Sequence, residues 1–244
     1  MPDLADFLII PDTVYISNPG DAVFDKGVNI RPFKSGYYKT NSRTFMRKSG
    51  NTLCSSLFPD STATIIDEIY GSNGVIYVVD DMLFNVPSSY TVFSVMLNYV
   101  SNSTDIFLEL TNGQHSDLIN ELRLSSKDYT LLIPTNQAMD SYNNVAVNND
   151  NMKTWGEMNS DEREYFIRNH IIRKRFIVEA YKDMTYYSSI GDKLSFFTES
   201  GQLNVKGNES IIPDAKFVSV NKQASNGVVN FIDQVLLPDF SKMN

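Results

Sequence analysis

Asn226-Gly227-Val228-Val229-Asn230-Phe231-Ile232-Asp233-Gln234-Val235-Leu236-Leu237-Pro238 is the stretch on which the reading of this chain turns. Asn-Gly supplies the positive φ angles of a tight turn. Val228, Phe231, Val235 and Leu236 are β-forming or apolar, and Pro238, which has no N–H to donate, stops the pairing. A buried strand near the C-terminus is expected. A second stretch, Tyr129-Thr130-Leu131-Leu132-Ile133-Pro134-Thr135-Asn136-Gln137-Ala138-Met139, reads as a short apolar strand (Leu131, Leu132, Ile133) followed by a helix beginning at Gln137, with Thr135 or Asn136 as its cap. The two stretches stand about a hundred residues apart, which suits one compact domain.

In wording as well as pattern, these stretches resemble the N-terminal and C-terminal boxes of the fasciclin domain, a module of extracellular adhesion proteins. The resemblance covers the region from about Pro87 to Phe240. It implies an α+β fold, a helical half followed by a β-sandwich or wedge of short strands. Members of the family often carry a Tyr-His pair at the end of a helix, linked in matrix proteins to integrin recognition. Here the pair is Asn169-His170, without the tyrosine. A further adhesive motif before the Asn-Gly box usually holds Asp-Ile, where this chain has Asn221-Lys222-Gln223-Ala224-Ser225. Integrin binding therefore does not carry over with the resemblance.

The C-terminal box occurs twice. Asn73-Gly74-Val75-Ile76-Tyr77-Val78-Val79-Asp80-Asp81-Met82-Leu83-Phe84 parallels residues 226–237, and the parallel extends upstream, with Tyr37-Tyr38-Lys39-Thr40 answering Phe196-Phe197-Thr198-Glu199. The first copy has no clear partner for the box at 129–139. Asp6-Phe7-Leu8-Ile9-Ile10-Pro11-Asp12 reads as a degenerate version of it, or better as a counterpart of residues 165–178. Residues 1–87 are thus expected to be the C-terminal, β-rich half of a fasciclin-like domain, and residues 88–244 a complete one.

Composition narrows the function. Hydrophobic residues at 42% and charged residues at 20% describe an ordinary soluble globular protein. A net charge of -8 excludes a nucleic-acid role, since phosphate binding needs a basic footprint. Arg168, Arg173, Lys174 and Arg175 form the one basic cluster, read as a solvated helix end. The single cysteine, Cys54, precludes an internal disulfide and leans towards a bacterial surface protein or a fold large enough to manage without disulfides. No stretch is long and apolar enough to span a membrane, and Asp3 and Asp6 with no basic start make residues 1–10 unlike a signal peptide. An exported form would carry its signal or lipid anchor ahead of these residues.

Helices are expected first and strands after. Ser88-Ser89 would cap a helix carrying Val92, Phe93, Met96, Leu97 and Val100, while Leu118, Ile119 and Leu122 share one helical face. Residues 143–151 read as a mobile polar loop. Asn159 with Glu162 forms a capping box ahead of Phe166, Ile167, His170 and Ile171. Strands are expected at 176–180, 193–198, 202–205, 217–220 and 228–235, an α+β arrangement.

Little catalytic chemistry is written in the chain. Neither His115 nor His170 has a metal-ligand spacing, and no nucleophile elbow, phosphate loop or dinucleotide fingerprint occurs. Asp80-Asp81 would point to opposite faces of a strand. Asn148-Asn149-Asp150-Asn151 lacks the acidic spacing of a Ca²⁺ loop. No enzyme, cofactor or metal site is expected. Asn102-Ser103-Thr104 and Asn208-Glu209-Ser210 match the glycosylation pattern.

Candidate binding residues are His170 with Asn169, and the tyrosine pairs Tyr186-Tyr187 and Tyr37-Tyr38, drawn from 13 tyrosines. His170 reads either as a partner contact or as a partly buried ring tying its helix to the sheet. Exposed tyrosines suit protein surfaces and sugar rings; at a sheet rim they are amphipathic filler. The expected function is non-enzymatic adhesion or recognition at a cell surface or in the extracellular space, through protein or glycan partners. The alternative is a glycan-binding accessory protein of a bacterial outer-membrane nutrient-uptake system. A monomer with its two units packed together is expected ahead of a dimer.

Overall fold

The computed structural model describes residues 36–39, 45–55, 62–70, 75–82, 89–124, 126–175, 184–208 and 211–243. The chain divides into two compact units, Met1–Ser88 and Ser89–Asn244. The Asn73-Gly74 turn, the segment 6–12, the connection 85–87, Tyr181 and the strand expected at 176–180 lie outside the described residues.

In the first unit, β1 (Gly36–Lys39), β2 (Phe45–Ser49), β3 (Thr52–Ser55), β4 (Thr62–Tyr70) and β5 (Val75–Val79) pair antiparallel in chain order. Gly50, at φ +57°, turns β2 into β3. Period-two alternation buries Met46, Leu53, Ala63 and Ile65 in one small core, with Tyr77 and Val79 packed against it. A register shift between Ile65 and Asp67 interrupts the β4–β5 ladder. Asp80 closes the hairpin. Its N–H donates to the Thr64 carbonyl at 3.1 Å, and its Oδ1 accepts from the Thr64 N–H at 2.6 Å.

The second unit begins with helices α1 (Val92–Asn98), α2 (Thr104–Thr111) and α3 (Ser116–Arg123). Strand β6 (Tyr129–Pro134) follows, then α4 (Asn136–Val147), α5 (Ser160–Asn169) and β7 (Ile171–Ile172). The rest is β: β8 (Thr185–Tyr187), β9 (Lys193–Glu199), β10 (Gln202–Lys206), β11 (Ala215–Ala224) and β12 (Gly227–Ile232). The sheet order is β7-β6-β12-β11-β10-β9-β8, with β12 and β6 parallel and the other neighbours antiparallel. Ser200 (φ +51°) and Gly201 (φ +77°) form the two-residue β9–β10 turn, both in the left-handed region that matches strand twist. The fold is α+β, as expected.

β6 and β12 are buried on both faces. Leu131, Ile133, Val229 and Phe231 enter a core shared with Val92, Met96, Leu110, Phe166 and other helical residues. Leu132 and Ile232 enter a second core with Leu194, Phe196, Val205 and Phe217. This explains why β6 reads as a continuous apolar run. Two register shifts in β11, with Asn221 at φ +56°, interrupt its ladder with β12. Past β12, Asp233 bonds Lys216 as Asp80 bonds Thr64: N–H to carbonyl at 3.0 Å, and Oδ1 from N–H at 2.7 Å.

Local expectations fare unevenly. The capping box at Asn159 and Glu162 forms, and Thr135 caps α4 by accepting from the Ala138 N–H. The cap of α1 is Thr91 rather than Ser88-Ser89. Residues 104–111, with no helix expected from the sequence, form α2, and Ile106 and Leu110 are buried on it. The polar loop expected from 143 is instead the last turn of α4 up to Val147, where buried Tyr142 and Ala146 anchor an otherwise polar surface. β11 runs well beyond the expected 217–220. Asn226-Gly227 uses no positive φ. Gly227 is required for space: a Cβ there would stand 2.3 Å from the Tyr129 carbonyl oxygen and 2.7 Å from Val92 Cγ1.

Candidate functional site

The Asn-Gly box is a clamp. Asn226 is fully buried. Its Oδ1 accepts from the Val92 N–H at 2.7 Å, satisfying a donor that the first turn of a helix leaves free. Its Nδ2 donates to the carbonyls of Leu122 at 2.8 Å and Leu124 at 3.0 Å, at the end of α3. Its own carbonyl accepts from the Tyr129 N–H at 3.0 Å. One residue thus joins α1, α3 and β6.

Asn169 and His170 hold the segment that follows the same strand. The Asn169 Nδ2 donates to the Leu236 carbonyl at 2.8 Å, and the Leu236 N–H donates to His170 Nε2 at 2.9 Å. His170 Nδ1–H donates to the Phe166 carbonyl at 2.9 Å, which fixes the tautomer, and the ring lies 4.9 Å from that of Phe166. Burial pushes its pKa down to about 4, against the opposing effect of the Phe166 carbonyl, so the ring is neutral. The structure corrects the candidate assignment of this pair: both residues are buried, with exposures of 0% and 1%, and they grip Leu236 instead of facing a partner.

The tyrosines divide. Tyr186 is half-buried, edge-on to Phe196 at 5.8 Å, with Lys174 Nζ 5.3 Å above its ring. Tyr187 is 64% exposed on β8. Tyr37 and Tyr38 stand in register with Arg47 and Met46 on β1–β2.

A charged network escaped the sequence reading. His115, 2% exposed, lies between two carboxylates: Nε2 is 2.7 Å from Glu109 Oε1 and Nδ1 is 2.8 Å from Glu164 Oε2. Arg163 reaches Glu109 at 2.9 Å, and its guanidinium lies 5.4 Å from the Trp155 ring centroid. Arg168 bridges Glu164 at 2.6 Å and Glu121 at 3.1 Å, and Arg173 adds to Glu121 at 3.0 Å. The contacts run Arg163–Glu109–His115–Glu164–Arg168–Glu121–Arg173 and tie together α2, α3, α5 and the residues after β7. Burial alone would raise the three carboxyls. Hydrogen bonds from His115 and Arg163 to Glu109, from Arg168 and Arg173 to Glu121, and from Arg168 and His115 to Glu164 outweigh it and hold all three below the ordinary range. Of the basic cluster, Arg173 and Lys174 are exposed as expected, whereas Arg168 is largely covered within the network. Arg175 too is buried, paired with Asp128 at 3.2 Å. The one sequence signal was the i,i+4 pair Glu164–Arg168.

Among the described residues no group of three or more His, Cys, Asp or Glu is placed to hold a metal ion, and no helix is long and apolar enough to cross a membrane.

The clamped segment, with α2 to α5 and the strands between, lies in a part of the chain that known proteins share. The Fasciclin domain profile matches residues 103–238, more than half of the chain. Transforming growth factor-beta-induced protein ig-h3 of Oryctolagus cuniculus is 26% identical over 177 residues, 71% of this chain and 23% of that protein. The Sus scrofa form is 24% identical over 176 residues, so the chain spans under a quarter of these curated relatives. Among solved structures, an FAS1 domain pair from the insect cell adhesion molecule fasciclin I superposes with a TM-score of 0.51 at 14% identity, covering 86% of this chain and 73% of that one. The two boxes that resemble fasciclin motifs fall within the matched residues and form the adjacent strands β6 and β12, and on these grounds the chain belongs to the fasciclin domain family.

Proposed function

We propose that this chain is a non-enzymatic adhesion or recognition protein of the cell surface or extracellular space, engaging a protein or glycan partner. The observation that carries the reading is the family match across 103–238, a family whose FAS1 pair was solved from an insect cell adhesion molecule. The two histidines support it. Both are buried with both ring nitrogens engaged within the protein, which leaves neither placed to move a proton on a substrate. The exposed ring of Tyr187 favours a second reading, a glycan-binding accessory protein in a bacterial nutrient-uptake system. Surface plasmon resonance of the full chain against extracellular-matrix proteins and free oligosaccharides separates the two. Saturable binding of a macromolecule and of no free sugar is expected. Saturable binding of a free sugar that Tyr187→Ala weakens would replace the adhesive reading with the second one.

A further inference from the structure

The latches at Asp80 and Asp233 set β5 and β12 in a common register. Each aspartate follows its strand and makes the same two hydrogen bonds to one residue of the preceding strand. Counting back from the aspartate, Val79 answers Ile232, Val78 answers Phe231 and Ile76 answers Val229. Val79 and Ile232 both turn towards β-lined cores. Val229 and Phe231 lie under helices in the second unit: both belong to the core containing Val92, Phe93, Val95 and Met96 of α1, and Phe231 meets the Tyr99 ring at 5.6 Å. In the first unit the corresponding residues are exposed. Ile76 is 64% exposed, and its cross-strand neighbour Ile69 is 50% exposed. Two isoleucines directly opposite each other form a contiguous apolar surface where a helix lies on the counterpart strand.

The rim indicates what kind of helix fits. Residues 62–70 and 75–82 carry Asp67, Asp80 and Asp81 beside this face and no lysine or arginine. Asp67 pairs with Val78, two positions from the Ile69–Ile76 pair, and so shares its face. A second copy of a chain with net charge -8 meets this rim with the wrong sign. We propose that the outer face of the β4–β5 hairpin docks an amphipathic helix of another polypeptide, with lysine or arginine flanking its apolar stripe. The stripe covers Ile69 and Ile76, and the flanking cations meet Asp67 and its neighbours. Helix-in-groove recognition reads residues at i, i+3, i+4 and i+7, the spacing of one helical face. The inference deepens the recognition reading above and rests on it for the class of partner.

Isothermal titration of the full chain with a synthetic Leu–Lys peptide of helical spacing tests it, with a Leu–Glu peptide of the same stripe as control. Saturable binding of the Leu–Lys peptide is expected, weakened about tenfold or more by Ile69→Ser with Ile76→Ser. Asp67→Asn weakens it less, and only at low salt. Both isoleucines and Asp67 are exposed, so the variants keep the fold, which circular dichroism verifies. Four results overturn the proposal: no binding of the Leu–Lys peptide, unchanged affinity in the double variant, equal binding of the Leu–Glu peptide, or a concentration-dependent mass of the wild-type chain that the double variant abolishes. The last assigns the face to a second copy. Peptide binding is measured without any matrix protein, so failure of the adhesive reading and failure of the docking face are told apart.

Discussion

The side chain of Asn226 accepts a hydrogen bond from the backbone N–H of Val92, 134 residues earlier in the chain. The same side chain holds two carbonyls at the end of α3. Asn226→Ala leaves a helix donor and two carbonyls without this partner in the interior. Loss of about 3–5 kcal/mol of stability is expected. Asn226→Asp keeps the acceptor, removes the donor and places a carboxylate against two carbonyls, so it is destabilising as well. Urea titrations followed by Trp155 fluorescence measure both; a loss under about 1 kcal/mol for the alanine variant contradicts the clamp.

Gly227 tests a steric argument against a conformational one. Its φ is ordinary, so alanine meets no backbone strain, only the Tyr129 carbonyl at 2.3 Å and Val92 Cγ1 at 2.7 Å. The first neighbour is backbone in a buried strand and cannot swing aside. Gly227→Ala is expected to cost about 2–4 kcal/mol and lower the melting temperature by about 5–15 °C. A melting curve superposing on wild type would mean that β6 and β12 are not held at this spacing.

His170 gives the second unit a pH dependence. Its pKa falls from the ordinary 6.5 to about 4 on folding, chiefly through burial. Between those values the unfolded chain binds the proton and the folded one does not. Stability therefore falls as pH drops through the window, by about 3 kcal/mol in all, and this contribution stops changing below pH 4. His170→Gln should lower stability at neutral pH yet flatten the slope between pH 6.5 and pH 4.5. Equal slopes for wild type and variant would show that the ring titrates alike in both states.

The charged network should be strongest at its buried end. Glu109 is 4% exposed and His115 2%, whereas Arg173 is 54% exposed. Removing one buried partner strands the other, so Glu109→Ala is expected to cost about 3–5 kcal/mol. Arg173→Ala should cost under about 1 kcal/mol. A double-mutant cycle on Glu109 and His115 checks the coupling; additivity within about 0.5 kcal/mol would show that the two do not act together. The carboxyls held below their ordinary range add a further acid sensitivity, present above the unfolded carboxyl pKa and lost as pH falls through the folded values.

What the sequence disclosed depended on the range over which each signal acts. The capping box at Asn159 and Glu162, the cap at Thr135 and the apolar run of β6 are written in adjacent residues and could be read directly. Family membership followed from the wording of two boxes. The apolar helix face beside Phe166 and Ile167 marks His170 as a buried ring tying its helix to the sheet, but its partner Leu236, 66 residues away, has no local signature, and neither does the bond of Asn226 to Val92. Asn-Gly misled because its usual meaning is conformational, whereas here it supplies a buried clamp and a missing side chain. The setting of His115 is not legible locally because its partners Glu109 and Glu164 come from two helices that only the fold brings together. The end of α4 is obscured in the sequence because Asn143-Asn144 and Asn148-Asn149 flank its last turn, although Met139, Tyr142 and Ala146 keep helical spacing through it.

The parallel ladder between β6 and β12 runs from Tyr129–Gly227 to Pro134–Ile232. Its two strands are separated in the chain by α4, α5 and the whole antiparallel meander. A ribosome releases the helices and β6 long before it releases the strand that must lie beside them. Until then β6 has an open apolar edge, and α1 lacks the asparagine that receives its first N–H. The second unit consequently cannot close in stages from its N-terminus. It should fold slowly for its size, with closure of the long loop limiting the rate. A nascent chain arrested before residue 226 should be a protease-sensitive, aggregation-prone species, and one extended past Leu237 should become resistant in a single step.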